Sequence, residues 1–413
     1  MRIFVLFASL FIWSLLFGKE DKPIDYNLLE KREVNGEEIY FLKNEKEPYT
    51  GRSVENYDNG KKLFATYSKG KWSGPAIEYY PNGNKSYEDL YENGKMVFAK
   101  SWKPDGLICD VTNAIDGNGV VQTYHPNGKQ EWRATYRNGF DEGLEYRWYE
   151  NGQKKSEANF KDGKREGLGT WWHINGKKKE EGNWIDGKRE GLATWWYENG
   201  QKKAEGHYKD GKDDGLVTWW HDNGEKKEES YWKDGKQDGL NTTWYRNGQK
   251  DHELNWKDGK LNGLSTNWYD NGKKKGKASY KEGKLYGIIT HWYENGEKKE
   301  EASYKEGKLN GIITHWYENG GKKEESNYSD GKQDGSGTWW YENGQKEAEA
   351  NFKAGKQDGL VIGWHENGQK RGESNWKDGQ LDGTLKAFNK NGKEILRQIY
   401  NNGTLVLEKM NPE

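Results

Sequence analysis

Apolar and polar positions follow one another along this chain in a beat of 24 residues, and each beat contains two short strand-like runs separated by two turn signals. Gly167 to Glu190 is representative. The run Gly-Leu-Gly-Thr-Trp-Trp leads to a turn at Asn175-Gly176. A Lys- and Glu-rich run ending in Asn183-Trp184 then leads to a second turn at Asp186-Gly187. Both pairs tolerate positive φ, as tight hairpin turns require. Asn-Gly keeps this interval from Asn127 to Asn391. Looser steps at Asn59, Asn82 and Asp105 bring the total to about 15 units, with a closing half-unit at Asn402-Gly403. Parallel pairing needs crossovers longer than the period supplies, and the glycine spacing breaks any helix. The pattern therefore predicts an all-β, elongated antiparallel β-hairpin repeat array, a β-meander wound into a twisted or superhelical ribbon.

Turn length decides which side chains share a face, because a one-residue slip turns a strand over. A three-residue loop with Gly176 left-handed sets Trp172 opposite Lys178, whereas a two-residue turn sets Trp172 opposite Lys179. The longer loop is preferred because it collects Leu168, Thr170 and Trp172 on one face with Gly182 and Trp184. The expected structural ladder on that face is Trp148, Trp172, Trp196, Trp220, Trp244, Trp268, Trp292, Trp316, Trp340 and Trp364, ending at Phe388. A second aromatic row from Phe160 and Trp184 to Trp376 joins it, with small residues between the rings. Glu157, Glu181, Glu205 and their equivalents are expected on the opposite face, screened by Lys155, Lys179 and Lys203 as a solvated lattice.

Composition changes the picture in two ways. With 31% hydrophobic and 32% charged residues the chain would border on disorder, but 22 Trp, 26 Tyr and 11 Phe are the wrong residues for a solvated coil. Lys plus Arg (66) and Asp plus Glu (67) nearly cancel, so no long-range field favours nucleic acid. At the N-terminus, Arg2 precedes an apolar run from Ile3 to Phe17 and then Gly18. That run is short for a membrane span and reads as an export signal, with an uncleaved anchor as the alternative. Residues 1–18 are assigned as signal peptide and 19–38 as an N-terminal lead. Irregular repeats follow over 39–126, regular repeats over 127–407 and a tail over 408–413. Cys109, the only cysteine, reads as a lone buried thiol.

The phrases Trp-Tyr-Glu-Asn-Gly-Gln-Lys-Lys (196–203) and Tyr-Lys-Asp-Gly-Lys-x-x-Gly (208–215) resemble the bacterial MORN-repeat variant. So do Glu47-Pro-Tyr-Thr-Gly51 and Tyr57-Asp-Asn-Gly-Lys61. The resemblance spans about residues 40 to 407. It implies antiparallel hairpins in elongated arrays in proteins that are often exported, some of which carry an antitoxin label. The doubled tryptophans Trp171-Trp172, Trp195-Trp196, Trp219-Trp220 and Trp339-Trp340 exceed that pattern, which makes Trp171, Trp195, Trp219 and Trp339 candidate binding residues.

No catalytic constellation, metal site or cofactor motif emerges. The eight histidines mostly replace Tyr, Trp or Asn at fixed repeat positions, and His291 and His315 lie one repeat apart, too far to share a metal. Asp-Gly-Lys-x-x-Gly is turn chemistry, since it lacks the carboxylates of a calcium loop and the Gly-Lys-Ser/Thr ending of a phosphate loop. The irregular stretch Leu107 to Gly119 reads first as a drifted structural unit, and also as a place where a partner binds. A non-enzymatic, exported scaffold for protein partners at the cell envelope is the leading expectation. Cell-wall or glycan binding by exposed Trp and Tyr, loosely similar to choline-binding wall repeats, is second. Membrane-surface association is third, because no basic stripe is present.

Overall fold

The computed structural model describes residues 22–35 and 37–410; the expected signal peptide lies outside them. Among the described residues the chain forms 37 β-strands and one short 3-10 turn, Tyr26–Leu28. The expected antiparallel meander is the fold. One small exception is Ile24–Asp25, which pairs in parallel with Ser53–Val54.

The chain divides into two compact units, residues 1–212 and 213–413. In the first, a sheet built from strands between Ile24 and Ser101 stands beside the hairpin Leu29–Val34 and Glu37–Leu42. The ladder is then interrupted over residues 102–118 and resumes at Gly119–Tyr124 as a strictly sequential meander. Met96, Ala99, Ala114 and Val121 form a small core at this interruption, with Tyr91, Trp132 and Tyr136 packed against it. Cys109 is buried there, its Sγ 3.5 Å from the Tyr124 hydroxyl. The second unit consists of the same alternation of strands and turns, closing with Thr404–Met410.

Each regular period uses two turn types. Strands Lys178–Ile185 and Lys188–Trp196 join through a two-residue turn in which Asp186 (φ 51°) and Gly187 (φ 80°) are both left-handed. This is the mirror-image geometry that matches strand twist. Strands Lys164–Trp172 and Lys178–Ile185 join through the longer loop, where Gly176 (φ 81°) alone is left-handed and its N–H donates to the His173 carbonyl at 2.9 Å. Trp172 pairs with Lys178, as the three-residue loop predicts.

The expected grouping of faces is nevertheless wrong, and the reason is a bulge. The register shifts between Trp171 and Trp172, so Lys179 is an extra residue. From there inward Thr170 pairs with Glu181 and Gly169 with Gly182. Residues directly opposite share a face. Leu168, Thr170 and Trp172 therefore lie on one face with Glu181 and Asn183, while Trp171 and Trp184 occupy the other with Gly169 and Gly182. The aromatic rows stand on both sides of the sheet instead of forming one spine. The glutamate row is likewise on the Trp172 side, not opposite it. Its ammonium partner is the lysine three residues before, as in Lys154–Glu157, Lys178–Glu181 and Lys298–Glu301, not the Lys179 class. The same lysines cover the next ring along: the Lys178 ammonium lies 5.7 Å from the Trp196 ring centre and Lys298 lies 5.4 Å from Trp316.

Candidate binding surfaces

The doubled tryptophans obey a steric rule set by the residue two positions earlier. Gly169 provides a bare seat: a Cβ there would lie 2.8 Å from the Trp171 ring and 3.0 Å from that of Trp184. Trp171 accordingly lies flat on its own strand, 5.2 Å from Trp184, which is only 4% exposed. Arg165 covers both rings, at 5.1 and 5.6 Å. Gly337 seats Trp339 in the same way, 6.3 Å from Phe352, and Trp195, two residues after the small Ala193, stays 6.2 Å from Tyr208. Val217 fills the seat, and Trp219 is 40% exposed. Of the four candidate residues, three are half-buried against partner rings and one stands in solvent.

Hydrogen bonds between successive units were not anticipated from the sequence. The residue after each ladder tryptophan donates to the backbone carbonyl of the next one. Tyr149 reaches Trp172 at 2.7 Å, Tyr293 reaches Trp316 at 2.8 Å, and His173 reaches Trp196 at 3.0 Å. Tyr and His interchange in this column because both carry a polar hydrogen at the ring tip. The turn asparagine also has two roles. Asn295 Oδ1 accepts from the Glu297 N–H at 2.9 Å, and its Nδ2 donates to the Glu318 carbonyl one unit on at 2.8 Å. His291 and His315, expected to be too far apart to share a metal, both aim Nδ1 at Glu300, at 3.9 and 4.0 Å.

An aliphatic column runs along the Trp172 face and is open to solvent. Leu144, Leu168 and Leu192 belong to the first unit; Leu240, Leu264, Ile288, Ile312 and Leu360 belong to the second. Their exposures range from 38% to 60%. Leu168 was expected to join the buried face. Instead the buried side chain of that strand on this face is Thr170.

A different surface occupies the first unit, where the sheet ending at Ser101 meets the start of the meander. A cleft of about 500 Å³ is bordered by Tyr57, Trp72, Tyr87, Tyr91, Trp132 and Trp148, with polar groups set among them. At its base Lys61, 1% exposed, pairs with Glu78 Oε1 at 3.0 Å and with Glu131, and its ammonium sits 5.1 Å from the Tyr80 ring centre. His125 Nε2 meets the Trp148 carbonyl at 2.9 Å, and its Nδ1 is 3.7 Å from Glu131. Asp89 is 7% exposed, and its Oδ1 has no hydrogen-bond partner. Burial, reinforced by the charges of Glu78 and Glu88, pushes its carboxyl well above the ordinary range, which disfavours its charged form. Burial also raises Glu78, against the lowering effect of Lys61.

Sequence reasoning marked the interruption but not these residues. The signal was a column violation: Asp89 pairs with Ala76 where the equivalent residue in a regular hairpin, Ala158, pairs with Glu145. That column usually holds Ala, Gly or Ser, as at Ala134, Gly182, Gly206, Ser230 and Ala302, with Leu254 and Gln398 as larger exceptions.

Nine segments match the family model described as MORN repeat variant: residues 73–93, 141–162, 189–210, 213–234, 261–282, 285–306, 309–330, 333–354 and 357–378. No curated protein matches the chain. Among solved structures, a chain of the crystal structure of TcdB2-TccC3-Cdc42 is 10% identical over 97% of this chain and 26% of its own, with a TM-score of 0.15. A chain of TcdB2-TccC3 without the hypervariable C-terminal region is 10% identical over 88% of this chain and 24% of its own, with the same TM-score of 0.15. The protein thus spans about a quarter of the length of these chains, and likeness at that level carries no functional argument.

Proposed function

Because those nine segments make this chain a MORN-repeat protein, we propose that it is a non-enzymatic scaffold that holds protein partners along its strands. The observation that carries this reading is the exposed aliphatic column. Isolated apolar residues on a surface need no explanation, but a row recurring every two strands is what an interaction face looks like. Neighbouring members are about 10 Å apart by strand spacing, so a partner meets many equivalent weak contacts in register. The charged rows flanking the column supply a polar rim. The apolar run Ile3 to Phe17 after Arg2 supports export to the cell envelope as the setting.

The direct test is capture of envelope proteins on the full chain, compared with a Leu264→Ser, Ile288→Ser, Ile312→Ser triple variant. These side chains are at least 43% exposed, so folding should survive while capture falls at least tenfold. Equal capture by both proteins would remove the column from the interaction. Wall or glycan binding through the doubled tryptophans is the second reading, and Trp219 is its best residue. Retention on purified wall glycan that disappears with Trp219→Ala would reverse the ranking. Membrane-surface association stays third; among the described residues no helix is long and apolar enough to cross a membrane.

A further inference from the structure

The cleft in the first unit is a site of another kind, and we propose that it binds a neutral saccharide of one or two rings. This inference is independent of the scaffold reading, and it places sugar recognition in a single cleft and not along the tryptophan rows. The volume of about 500 Å³ suits a small ligand. Flat walls are supplied by aromatic rings, with Trp72 and Tyr91 locked edge-to-face at 4.9 Å and Trp132 and Tyr136 at 6.4 Å. Such rings present apolar faces to the C–H surface of a pyranose while their polar edges remain available.

The charge pattern selects against ions. Lys61 is already fixed between Glu78 and Glu131, so an incoming cation meets an ammonium whose two counter-ions are taken. An incoming anion meets Glu131 and Asp58 at the border, while of the other two lining cations Arg147 is already paired with Glu145 at 2.8 Å and Lys155 lies against the Tyr149 ring at 5.7 Å. Burial raises the Asp89 carboxyl well above its ordinary range, so the site disfavours further negative charge. A guest that is uncharged and carries both donors and acceptors avoids every one of these costs. Hydroxyl groups also fit what is left over. Asp89, Trp132 and His125 all line the cleft, and Asp89 Oδ1, Trp132 Nε1 and His125 Nδ1, each buried just behind that lining, have no hydrogen-bond partner in the protein, so small side-chain rotations would offer a guest both acceptor and donor functions. Buried polar atoms normally find partners. A polyol that settles against the aromatic walls is the guest that supplies them.

The test uses the full chain titrated with glucose, maltose, cellobiose and N,N′-diacetylchitobiose by calorimetry and saturation-transfer NMR, with trimethyllysine and glucuronate as charged controls. At least one neutral sugar should bind saturably, with Trp132→Ala and Asp89→Leu each weakening it tenfold or more and Asp89→Asn, which keeps a neutral acceptor and donor, retaining most of it. Trp219→Ala should leave binding unchanged. Because Trp132→Ala removes a packed ring, hydroxyl-radical footprinting of the unaltered protein provides a second readout: the sugar should protect Trp132 and Trp148 and leave Trp219 as reactive as before. No saturable binding by any neutral sugar, preferential binding of either charged control, or protection confined to Trp219 would each overturn the proposal.

Discussion

Gly169→Val tests whether seat size decides how the second tryptophan of each pair lies. Gly169 is buried, and its φ lies outside the left-handed region, so valine meets no backbone strain there. Its Cβ alone would fall 2.8 Å from Trp171 and 3.0 Å from Trp184, closer than carbon atoms pack. The Trp171 ring must lift, as Trp219 does above Val217. Uncovering about a third of one indole exposes roughly 80 Å², worth about 2 kcal/mol. Loss of the ring pair at 5.2 Å adds about 1 kcal/mol, and the better strand propensity of valine returns about 1 kcal/mol. The net loss of about 2 kcal/mol corresponds to roughly 30-fold faster amide exchange through local opening of Lys164–Trp172 and Lys178–Ile185. Residue-resolved hydroxyl-radical footprinting should show Trp171 oxidised as fast as Trp219. The reciprocal Val217→Gly should protect Trp219. An unchanged Trp171 oxidation rate, with exchange protection intact, would refute the seat rule.

Three further outcomes follow from the bonds between units and from one buried carboxyl. Tyr293→Phe should cost about 1 kcal/mol by orphaning the Trp316 carbonyl, whereas Tyr293→His should restore most of it, since His173 makes the equivalent bond; exchange rates in the flanking strands distinguish the two. Asn295→Asp keeps the acceptor for Glu297 N–H but sets a carboxylate against the Glu318 carbonyl; local stability should fall by about 1 to 2 kcal/mol at pH 7 and recover below about pH 4, where the acid regains a donor. Asp141 is raised from 3.8 to about 6, chiefly by burial and next by Glu145. The folded chain therefore keeps a proton that the unfolded chain releases, and this contribution is complete below pH 3.8 and lost as pH rises through about 6. Asp141→Asn should gain stability over the parent at pH 7 relative to pH 4 in thermal melts, and an equal difference at both values would exclude the carboxyl as the source.

Much of the fold was legible because its determinants are local. Glycine and its turn partners dictate φ, and turn length dictates the hairpin, so strand boundaries follow from Asp186-Gly187 and Asn175-Gly176 alone. The faces were not legible, because they hang on one extra residue. Lys179 moves Thr170 from opposite Glu180 to opposite Glu181, and with it every side chain up to Gly167. Sequence periodicity is blind to this, since a bulge that recurs in each unit leaves the period at 24 residues. The asparagines were half understood. Asn175 keeps an ordinary φ and is placed there for its amide, which bonds the turn beside it; Gly176 alone bears the left-handed geometry.

The cleft illustrates the opposite limit. A strictly periodic sheet can only build a periodic surface, because any side chain that lines a hollow in one unit has its equivalent lining the same hollow in the next. A single enclosed site therefore requires the repeat to fail. Here it fails over residues 102–118, where the ladder is broken and the meander restarts against the face of the preceding sheet, bringing Glu131 to Lys61 across 70 positions of sequence. Residues that pairwise alignment of repeats would score as drift, such as Asp89 in a column of small residues, become the lining. Regular units reward small neutral side chains at that place, since neighbouring rings press on them. A carboxyl survives there only because the break opens space beside it, and its burial both disfavours the charged form and leaves Oδ1 with an unmet hydrogen bond. In an array of near-identical hairpins, departures from the consensus that are also buried and polar are thus the positions where specific recognition is to be sought.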